Sequence, residues 1–220
     1  MRRGEAYRLG VLGGSFNPVH NAHLAMARAA IEAFGLEQVL FLPTGNPPHK
    51  HAGLADKEHR LRMVELAVDG CPGFAVSDLE VRREGTIYTV DTLRILRERR
   101  PDASLWYIVG ADTLLELHTW REIDAVFALC GFIVCARPGW QEEEVADCAS
   151  RLRERGAVIR WLYMPGMNIS STMIRRSLER GEKTAKDLVP PAVWRYLREH
   201  RLYYPALPGG TPTSEGSPVI

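Results

Sequence analysis

Residues 8–35 read RLGVLGGSFNPVHNAHLAMARAAIEAFG, and this stretch decides the fold class. Residues 8–13 form a short apolar run that ends in glycine, which is typical of a buried strand. Residues 21–34 carry a helical pattern that Gly35 terminates. Because Gly14 and the glycine before it have no Cβ atoms, the backbone can turn sharply there and approach a ligand. The stretch therefore predicts a strand, a tight loop and a helix in immediate succession.

The rest of the chain alternates between apolar runs and helical patterns in the same way. Alternation of this kind requires crossover connections between parallel strands. We therefore expect an α/β fold: a Rossmann-like doubly wound, mainly parallel sheet with a helical C-terminal subregion. Ligands of such a sheet bind beyond the C-terminal ends of the strands. The further predicted strands are 38–43, 104–110, 131–136 and 157–163, and the further predicted helices are 56–68, 89–100, 170–180 and 190–200.

Length and composition predict one domain. With 220 residues and 45% hydrophobic content, the chain can bury one substantial core, which we assign to residues 1–204. Residues 205–220 are rich in Pro, Gly, Ser and Thr, and this composition predicts a disordered tail.

Charge and cysteine content exclude several function classes. The 28 Lys and Arg residues nearly balance the 27 Asp and Glu residues, so net charge creates no general attraction to nucleic acid or to an anionic membrane. No signal-peptide pattern or membrane-length apolar run occurs, so we expect a cytoplasmic protein. The four cysteines form no C-x-x-C pair, which favours reduced thiols over a metal site or a disulfide.

The loop and the start of the following helix form a candidate phosphate site. Free backbone N–H groups and the positive end of the helix dipole face whatever anion lies over the loop. His20 and His23 are three residues apart at the helix start, so both imidazoles project to one side. Beside a phosphate their charged forms are favoured, and each becomes a donor to phosphate oxygens.

Other loop types compete with this interpretation. The glycines alone are equally compatible with a tight turn followed by two solvent-facing histidines. A dinucleotide-binding loop requires G-x-G-x-x-G and an acidic residue after the second strand, where this chain has Leu42-Pro43-Thr44. A P-loop requires G-x-x-x-x-G-K-[ST], which does not occur. Dehydrogenase and ordinary kinase or GTPase chemistry are therefore disfavoured.

Two separated motifs resemble the signatures of the nucleotidyltransferase superfamily. Residues 13–23, GGSFNPVHNAH, resemble the (H/T)-x-G-H signature, and residues 169–175, ISSTMIR, resemble the second signature. Four segments between them are similar to landmarks of the bacterial nicotinate-nucleotide adenylyltransferase family, so the resemblance covers about residues 8–204. These segments are Pro47-Pro48-His49-Lys50, Tyr88-Thr89-Val90-Asp91-Thr92-Leu93, Gly110-Ala111-Asp112 and Trp120.

The resemblance implies an enzyme of NAD biosynthesis. Its substrates would be ATP and nicotinate mononucleotide, and its products deamido-NAD and pyrophosphate, with magnesium and without a covalent enzyme intermediate. Attack of one phosphate on another joins two anions, so the protein must hold them in line and neutralise charge. Positioned donors suffice, and no nucleophilic side chain is needed. The implied partners are these small molecules, and a homo-oligomer is compatible with the sequence.

The resemblance also implies roles for individual residues. His20 and His23 would hold the ATP phosphates and stabilise the transition state, while Arg175 would grip the β- and γ-phosphates. His49 and Lys50 would add phosphate contacts. In the family, the loop binds nucleotide through its backbone. The implied ATP-binding residues are Gly14, Ser15, Phe16, Gly110, Asp112, Ile169 and Ser171.

Thr89 and Trp120 match the acceptor pocket of the family. Thr89 at a helix N-cap implies backbone N–H groups for the nicotinate carboxylate, and Trp120 implies an indole face for the pyridine ring. Structural alternatives are a simple helix cap for Thr89, a core position for Trp120 and a solvated helix face for Arg175. Because the carboxylate is expected to meet backbone donors, both nicotinate and nicotinamide mononucleotide stay open as acceptors.

Two positions depart from the family pattern. Ala22 stands where glycine is usual, and Asn17 where aspartate is common. The methyl group of Ala22 intrudes where the nucleotide approaches, which affects ATP binding. Alternative functions are another superfamily member, such as a pantetheine-phosphate adenylyltransferase or a cytidylyltransferase, and a noncatalytic nucleotide-binding module. The segment 88–93 and Trp120 argue against the first, and both histidines with Arg175 argue against the second.

Overall fold

The computed structural model describes residues 7–45, 53–136, 142–164 and 167–205. Within these ranges, six β-strands form one sheet in which every neighbouring pair is parallel. The strands are β1 (Tyr7–Gly14), β2 (Gln38–Pro43), β3 (Phe74–Val76), β4 (Ala103–Gly110), β5 (Gly131–Ala136) and β6 (Ile159–Tyr163). Their order across the sheet is β3-β2-β1-β4-β5-β6, which is the order of a doubly wound Rossmann-like fold.

Eight α-helices lie in the same described ranges and cover both faces of the sheet. Two short 3-10 segments, Leu117–Thr119 and Thr184–Asp187, complete the regular structure there. The helices are α1 (Asn21–Phe34), α2 (Lys57–Val68), α3 (Thr89–Arg99), α4 (Ala111–Glu116), α5 (Ile123–Leu129), α6 (Glu142–Glu154), α7 (Ser171–Glu179) and α8 (Pro191–Glu199).

Side chains at the helix ends explain where several helices begin and stop. Asp56 accepts a hydrogen bond of 2.9 Å from the Glu58 N–H, and Ser170 accepts one of 3.2 Å from the Met173 N–H. Both residues are therefore N-caps, and α2 and α7 begin one residue later than the sequence predicted. Gly35 ends α1 in the left-handed conformation, with a φ of 60°, as its position after the helical pattern predicted.

The alternation of side chains along each strand divides the core between the two faces of the sheet. In β1, Leu9 and Val11 pack into the cluster under α3, α4, α5 and α6, whereas Leu12 packs into the cluster under α1, α2, α7 and α8. A strand buried on both faces must be apolar at successive positions, which is why residues 8–13 show no polar alternation.

The predicted fold class is confirmed, and the sheet is parallel at every described pair. The sequence-based assignment missed β3, α4 and α5, which have three, six and seven residues and are too short to show a clear period. It also missed α6, although Val145, Cys148, Ala149 and Leu152 have helical spacing and are buried.

The structure bears only in part on the predicted tail and on the expected lack of a membrane-spanning segment. Of the predicted tail, 205–220, only Pro205 lies within the described residues. No helix in the described ranges has both the length and the apolar character needed to cross a membrane.

Candidate nucleotide-binding site

A cavity of about 980 Å³ opens at the C-terminal ends of β1, β2 and β4. The strand order reverses between β1 and β4, and ligands of doubly wound sheets bind at such a switch point. Gly13 forms part of the cavity wall, and a Cβ atom there would overlap the Tyr107 hydroxyl. Glycine is therefore needed so that β1 can pass close to Tyr107 beneath the site.

Half of the described residues predicted to form the site line this cavity. They come from four separate stretches of the chain, which the sheet brings to one edge. The predicted residues in the cavity wall are Gly14, His23, Thr89, Gly110, Asp112 and Trp120. The predicted residues outside that wall are Ser15, Phe16, His20, Ile169, Ser171 and Arg175. His49 and Lys50 lie outside the described residues.

The loop between β1 and α1 is anchored in the core by Phe16. This side chain is 2% exposed, and its ring centroid lies 5.0 Å from that of His23 and 5.9 Å from that of Phe41. Phe16 has a φ of 44°, a left-handed conformation that is costly for a bulky residue. Because the aromatic ring is buried, Phe16 can offer a ligand its backbone and not its side chain.

His20 and His23 form a stacked pair at the start of α1. Their ring centroids are 3.7 Å apart with an interplanar angle of 22°, and the His20 N–H donates a hydrogen bond of 3.2 Å to His23 Nδ1. Since Nδ1 of His23 accepts, the neutral ring must carry its proton on Nε2, which makes Nε2–H a donor. His20 Nδ1 is buried and makes no hydrogen bond within the described part of the chain.

Burial of the two imidazole rings favours their neutral forms. It lowers the pKa of His20 to about 4, although the nearby backbone of the same residue partly opposes the shift. Burial also lowers the pKa of His23 well below its usual value, and the neighbouring His20 adds to the effect. The protein environment thus acts against the charged forms that we expected beside a phosphate.

Ser171 and Arg175 of α7 both reach back to the loop. Ser171 Oγ donates a hydrogen bond of 2.9 Å to the carbonyl oxygen of Pro18. Arg175 Nη1 donates one of 2.9 Å to the carbonyl oxygen of Asn17, and its Nη2 lies 3.3 Å from Thr172 Oγ1. The two signature motifs are therefore in direct contact, with the second holding backbone carbonyls of the first.

The side chain of Asn17 ties the loop to two other parts of the chain. Its Nδ2 donates to the Gly53 carbonyl at 3.1 Å, and its Oδ1 accepts from the Ala55 N–H at 3.0 Å. The Tyr203 hydroxyl also donates to Oδ1. Because one partner is a carbonyl and another is an N–H, this position needs both an acceptor and a donor. Asn17 is 5% exposed, so it acts as a scaffold for the loop.

Arg60 is a second scaffold residue of the loop, and it lies on the buried face of α2. Its Nη1 donates to the Ser15 carbonyl at 2.8 Å, its Nη2 to the Gly45 carbonyl at 2.8 Å and its Nε to the Ala55 carbonyl at 3.0 Å. Nη1 also lies 3.4 Å from Thr44 Oγ1. One guanidinium thus holds the loop after β1 and both described ends of the connection between β2 and α2.

The opposite side of the cavity contains Thr89 and Trp120. Trp120 contacts Tyr107 edge-on, with ring centroids 5.6 Å apart, so it belongs both to the cavity wall and to the packed core. The sequence-based assignment of Thr89 to an N-cap is wrong, because Tyr88 is the cap and Thr89 is the first residue of α3. The Thr89 side chain lies beside Tyr107 and lowers its pKa, against the larger effect of burial, which raises it.

Glu80 is a buried acid in the wall of the same cavity. The Thr92 hydroxyl donates a hydrogen bond of 2.8 Å to Glu80 Oε1. Burial raises the pKa of Glu80 to about 7, which the bond from Thr92 and the charge of Arg83 partly oppose. Burial also raises the pKa of Tyr107, and the charge of Glu80 adds to that shift.

Comparison with known proteins identifies the family. The profile of the cytidylyltransferase-like family matches residues 11–177. A protein of Synechococcus sp. (strain JA-3-3Ab), described as a probable nicotinate-nucleotide adenylyltransferase, is 44% identical over 199 residues, which span 89% of this chain and 94% of the relative. The chain belongs to the nicotinate-nucleotide adenylyltransferase family. A second member, from Neisseria meningitidis serogroup B (strain MC58), is 42% identical over 200 residues, covering 89% of this chain and 98% of the relative.

Solved structures place the fold among those of nicotinic acid mononucleotide adenylyltransferases. The Plasmodium falciparum enzyme complexed with NaAD superposes with a TM-score of 0.74 at 19% identity, over 89% of this chain and 97% of that chain. The same enzyme complexed with APC gives a TM-score of 0.72 at 18% identity, over 90% and 97%. At these identities the likeness concerns the fold alone.

Sequence reasoning missed three buried polar residues of this adenylyltransferase-family site: Arg60, Glu80 and the scaffold function of Asn17. The sequence did carry a signal for the burial of Arg60, because it lies three and four residues before the buried Met63 and Val64 and so shares their face of α2. Its partners could not be found from the sequence, since Ser15 lies 45 residues away. Among the described residues, no group of three or more His, Cys, Asp or Glu side chains is arranged to hold a metal ion.

Proposed function

We propose that this chain transfers an adenylyl group from ATP to nicotinate mononucleotide, giving deamido-NAD and pyrophosphate. One observation carries the proposal: a single cavity is lined by the phosphate loop on one side and by Thr89 and Trp120 on the other. A site that joins two nucleotides must hold a phosphate donor and an acceptor in one enclosure. Membership of the nicotinate-nucleotide adenylyltransferase family supports this choice of donor and acceptor.

The proposed reaction is a direct displacement at the α-phosphorus of ATP. A phosphate oxygen of the mononucleotide forms a bond to that phosphorus, and the bond from phosphorus to the bridging oxygen of pyrophosphate breaks. The leaving pyrophosphate carries the electron pair, so charge develops on it and on the α-phosphate oxygens. Such a reaction is accelerated by alignment and by fixed donors.

The histidine pair supplies such donors in the proposal. Because His23 Nδ1 accepts from the His20 N–H, the Nε2–H of His23 is directed away from its own backbone and can donate to a phosphate oxygen. A neutral imidazole can give this hydrogen bond without first binding a proton. An adjacent phosphate raises the pKa of both rings, which strengthens the interaction as negative charge builds up.

Arg175 and Ser171 act on the phosphates in two ways. Each already fixes a carbonyl of the loop, at Asn17 and at Pro18, so the loop keeps its shape when ATP binds. The remaining N–H groups of Arg175 are then available for the β- and γ-phosphates, as a planar guanidinium suits phosphate oxygens. Magnesium enters with ATP as part of the substrate, bound by the triphosphate oxygens.

The part of the cavity around Thr89 and Trp120 suits the flat, anionic ring of the acceptor. Trp120 offers an indole surface beside Tyr107, and the N-terminus of α3 at Thr89 presents backbone N–H groups to a carboxylate. Gly110 and Asp112 line the same cavity at the end of β4 and the start of α4. This position suits contacts with the nucleotide sugars and phosphates.

The decisive experiment is an assay of pyrophosphate release by the purified full-length chain. The protein is incubated with ATP, magnesium and either nicotinate or nicotinamide mononucleotide, and the dinucleotide product is identified by mass. We expect release with nicotinate mononucleotide, and the nicotinamide arm measures acceptor preference. His23→Ala is expected to lower kcat about 100-fold or more, by analogy with other preorganised donors. Release with neither acceptor would contradict the proposal and favour a noncatalytic nucleotide-binding protein.

A further inference from the structure

We propose that Arg60 is a positioning residue for ATP, which shapes the phosphate loop and places a buried positive charge beneath the triphosphate. This inference rests on the proposed function, because it assumes that ATP occupies the loop. Arg60 itself is not expected to touch the substrate. It lies on α2 and acts through the backbone of the loops that border the cavity.

The charge of Arg60 is buried deep in the protein. Arg60 is 1% exposed and is the bulkiest of the fully buried side chains in the described residues. Burying a charge is costly unless it is compensated. Its three backbone partners are neutral carbonyl groups, so these hydrogen bonds satisfy its N–H groups without neutralising the charge.

The hydrogen-bond partners of Arg60 do not neutralise its charge. Arg60 donates to the carbonyls of Ser15, Gly45 and Ala55, and none of its hydrogen bonds within the described residues is to a carboxylate. Burial lowers the pKa of Arg60, and only the through-space effects of Tyr203 and Asp56 oppose this shift. An arginine still stays charged in a protein, so its positive charge is directed at the region around the loop.

Arg60 also sets the orientation of the peptide between Ser15 and Phe16. In a planar trans peptide, the C=O of one residue and the N–H of the next point in opposite directions. Since the Ser15 carbonyl points to Arg60 at 2.8 Å, the Phe16 N–H points away from Arg60. A cation on the carbonyl oxygen also polarises the peptide and makes its N–H a stronger donor. Arg60 therefore both turns and strengthens a donor of the phosphate loop.

The test compares ligands that share adenosine but differ in charge. ATP, AMP and adenosine are titrated into the full-length wild type, Arg60→Met and Arg60→Lys, and dissociation constants are measured by calorimetry. Arg62→Met is the matched control, because Arg62 lies on the same helix, pairs with Glu65 at 2.9 Å and has a side chain that is 54% exposed. Thermal unfolding is recorded for every variant.

We expect Arg60→Met to weaken ATP binding at least about tenfold more than adenosine binding, with AMP in between, which corresponds to about 1.4 kcal/mol. Arg60→Lys keeps the charge but not the three-carbonyl geometry, so it should lose stability yet keep the wild-type ratio of ATP to adenosine affinity within about threefold. Arg62→Met should leave all three affinities unchanged.

An equal loss for ATP and adenosine in Arg60→Met would overturn the inference and leave Arg60 a purely structural residue. If Arg60→Met does not fold, the affinities of Arg60→Lys decide the question. A ratio of ATP to adenosine affinity in Arg60→Lys that falls below the wild-type ratio would then overturn the inference. Failure of the wild type to bind ATP or to release pyrophosphate would count against the proposed function instead. An active wild type with an unchanged affinity ratio in Arg60→Met would refute the role of Arg60 alone.

Discussion

Arg175 Nη1 donates a hydrogen bond of 2.9 Å to the carbonyl oxygen of Asn17, which joins residues 158 positions apart in the chain. The bond connects the two motifs that resemble the superfamily signatures. Because the Asn17 carbonyl belongs to the phosphate loop, the position of α7 and the shape of that loop depend on each other. A substitution at Arg175 or at Asn17 should therefore alter how both motifs bind the phosphates of ATP.

Removing Arg175 tests this connection. Arg175→Ala is expected to lower kcat about 100-fold, because the loop loses a fixed carbonyl and the phosphates lose a cationic donor. Steady-state pyrophosphate release measures the effect. Arg176→Ala is the matched control, since Arg176 is the next residue of α7 and is exposed. Equal activity of the two variants would contradict the catalytic assignment of Arg175.

Asn17→Asp tests whether this position needs an amide. A carboxylate can still accept from Ala55 and Tyr203, but it cannot donate to the Gly53 carbonyl. We expect the free energy of unfolding to fall by about 1–3 kcal/mol, the cost of a buried group without its partner. Denaturant titration at pH 8 measures this loss.

The control for Asn17→Asp is Asn21→Asp. Asn21 also donates through Nδ2 to a carbonyl, that of Asp187 at 3.1 Å, but its bond is solvent-exposed. The change there should alter the free energy of unfolding by less than about 0.5 kcal/mol. If both variants are equally stable, the amide of Asn17 is not required.

The pKa of His20 predicts acid instability of the ligand-free protein. Its pKa is about 4 in the folded state, below the ordinary histidine value of 6.5. As the pH falls from 6.5 to 4, the unfolded chain binds a proton at this residue before the folded protein does, so the free energy of unfolding decreases. Integrated over that window, the contribution of His20 is roughly 3 kcal/mol.

His20→Asn isolates this contribution, because it removes the titrating group. Unfolding free energies of both proteins are measured by denaturant titration between pH 8 and pH 4. The wild type should lose more stability than the variant across that range. Parallel curves would show that His20 titrates in the folded protein as it does in the unfolded chain.

The pKa of Glu80 predicts that stability changes with pH in the opposite direction. Its pKa of about 7 lies above the ordinary glutamate value of 4.5, so the folded protein holds the proton more tightly. The contribution of Glu80 to stability is therefore complete below pH 4.5 and is lost as the pH rises to about 7. Glu80→Gln keeps a neutral acceptor for Thr92 and should become more stable relative to wild type by roughly 3 kcal/mol over this window.

The same comparison at Glu84 provides the control for Glu80. Glu84 lies in the same segment but is exposed, so Glu84→Gln should show no such gain. Denaturant titrations of the three proteins at pH 4.5, 6 and 8 are sufficient. A pH-independent difference between Glu80→Gln and wild type would mean that Glu80 has the same pKa in the folded protein as in the unfolded chain.

Ala22→Gly tests the departure in the first signature. Ala22 is half-buried in the first turn of α1 and is not part of the cavity wall. We expect the glycine variant to retain activity and to bind ATP more tightly, while helix stability falls by up to about 1 kcal/mol. Ala25→Gly, in the same helix, should reproduce the stability loss without the gain in affinity. Weaker ATP binding by Ala22→Gly would refute the expectation.

Much of the site could be predicted because it depends on local rules. The loop after β1 is indicated by Gly13 and Gly14, and the position of the cavity follows from strand order and the reversal beside β1. Gly14, His23 and Gly110 then reach the cavity because the C-terminal ends of parallel strands share one edge.

The sequence by itself thus determined the fold class, the edge of the sheet that binds ligands and the family resemblance, since periodicity, turn residues and motifs are local properties of the chain. Only the tertiary structure decided that Arg60 lies beneath the loop, that Tyr203 meets Asn17 from 186 residues away and that the histidines are held neutral. Burial and long-range hydrogen bonds depend on how distant segments pack, and no local pattern encodes which of them will meet.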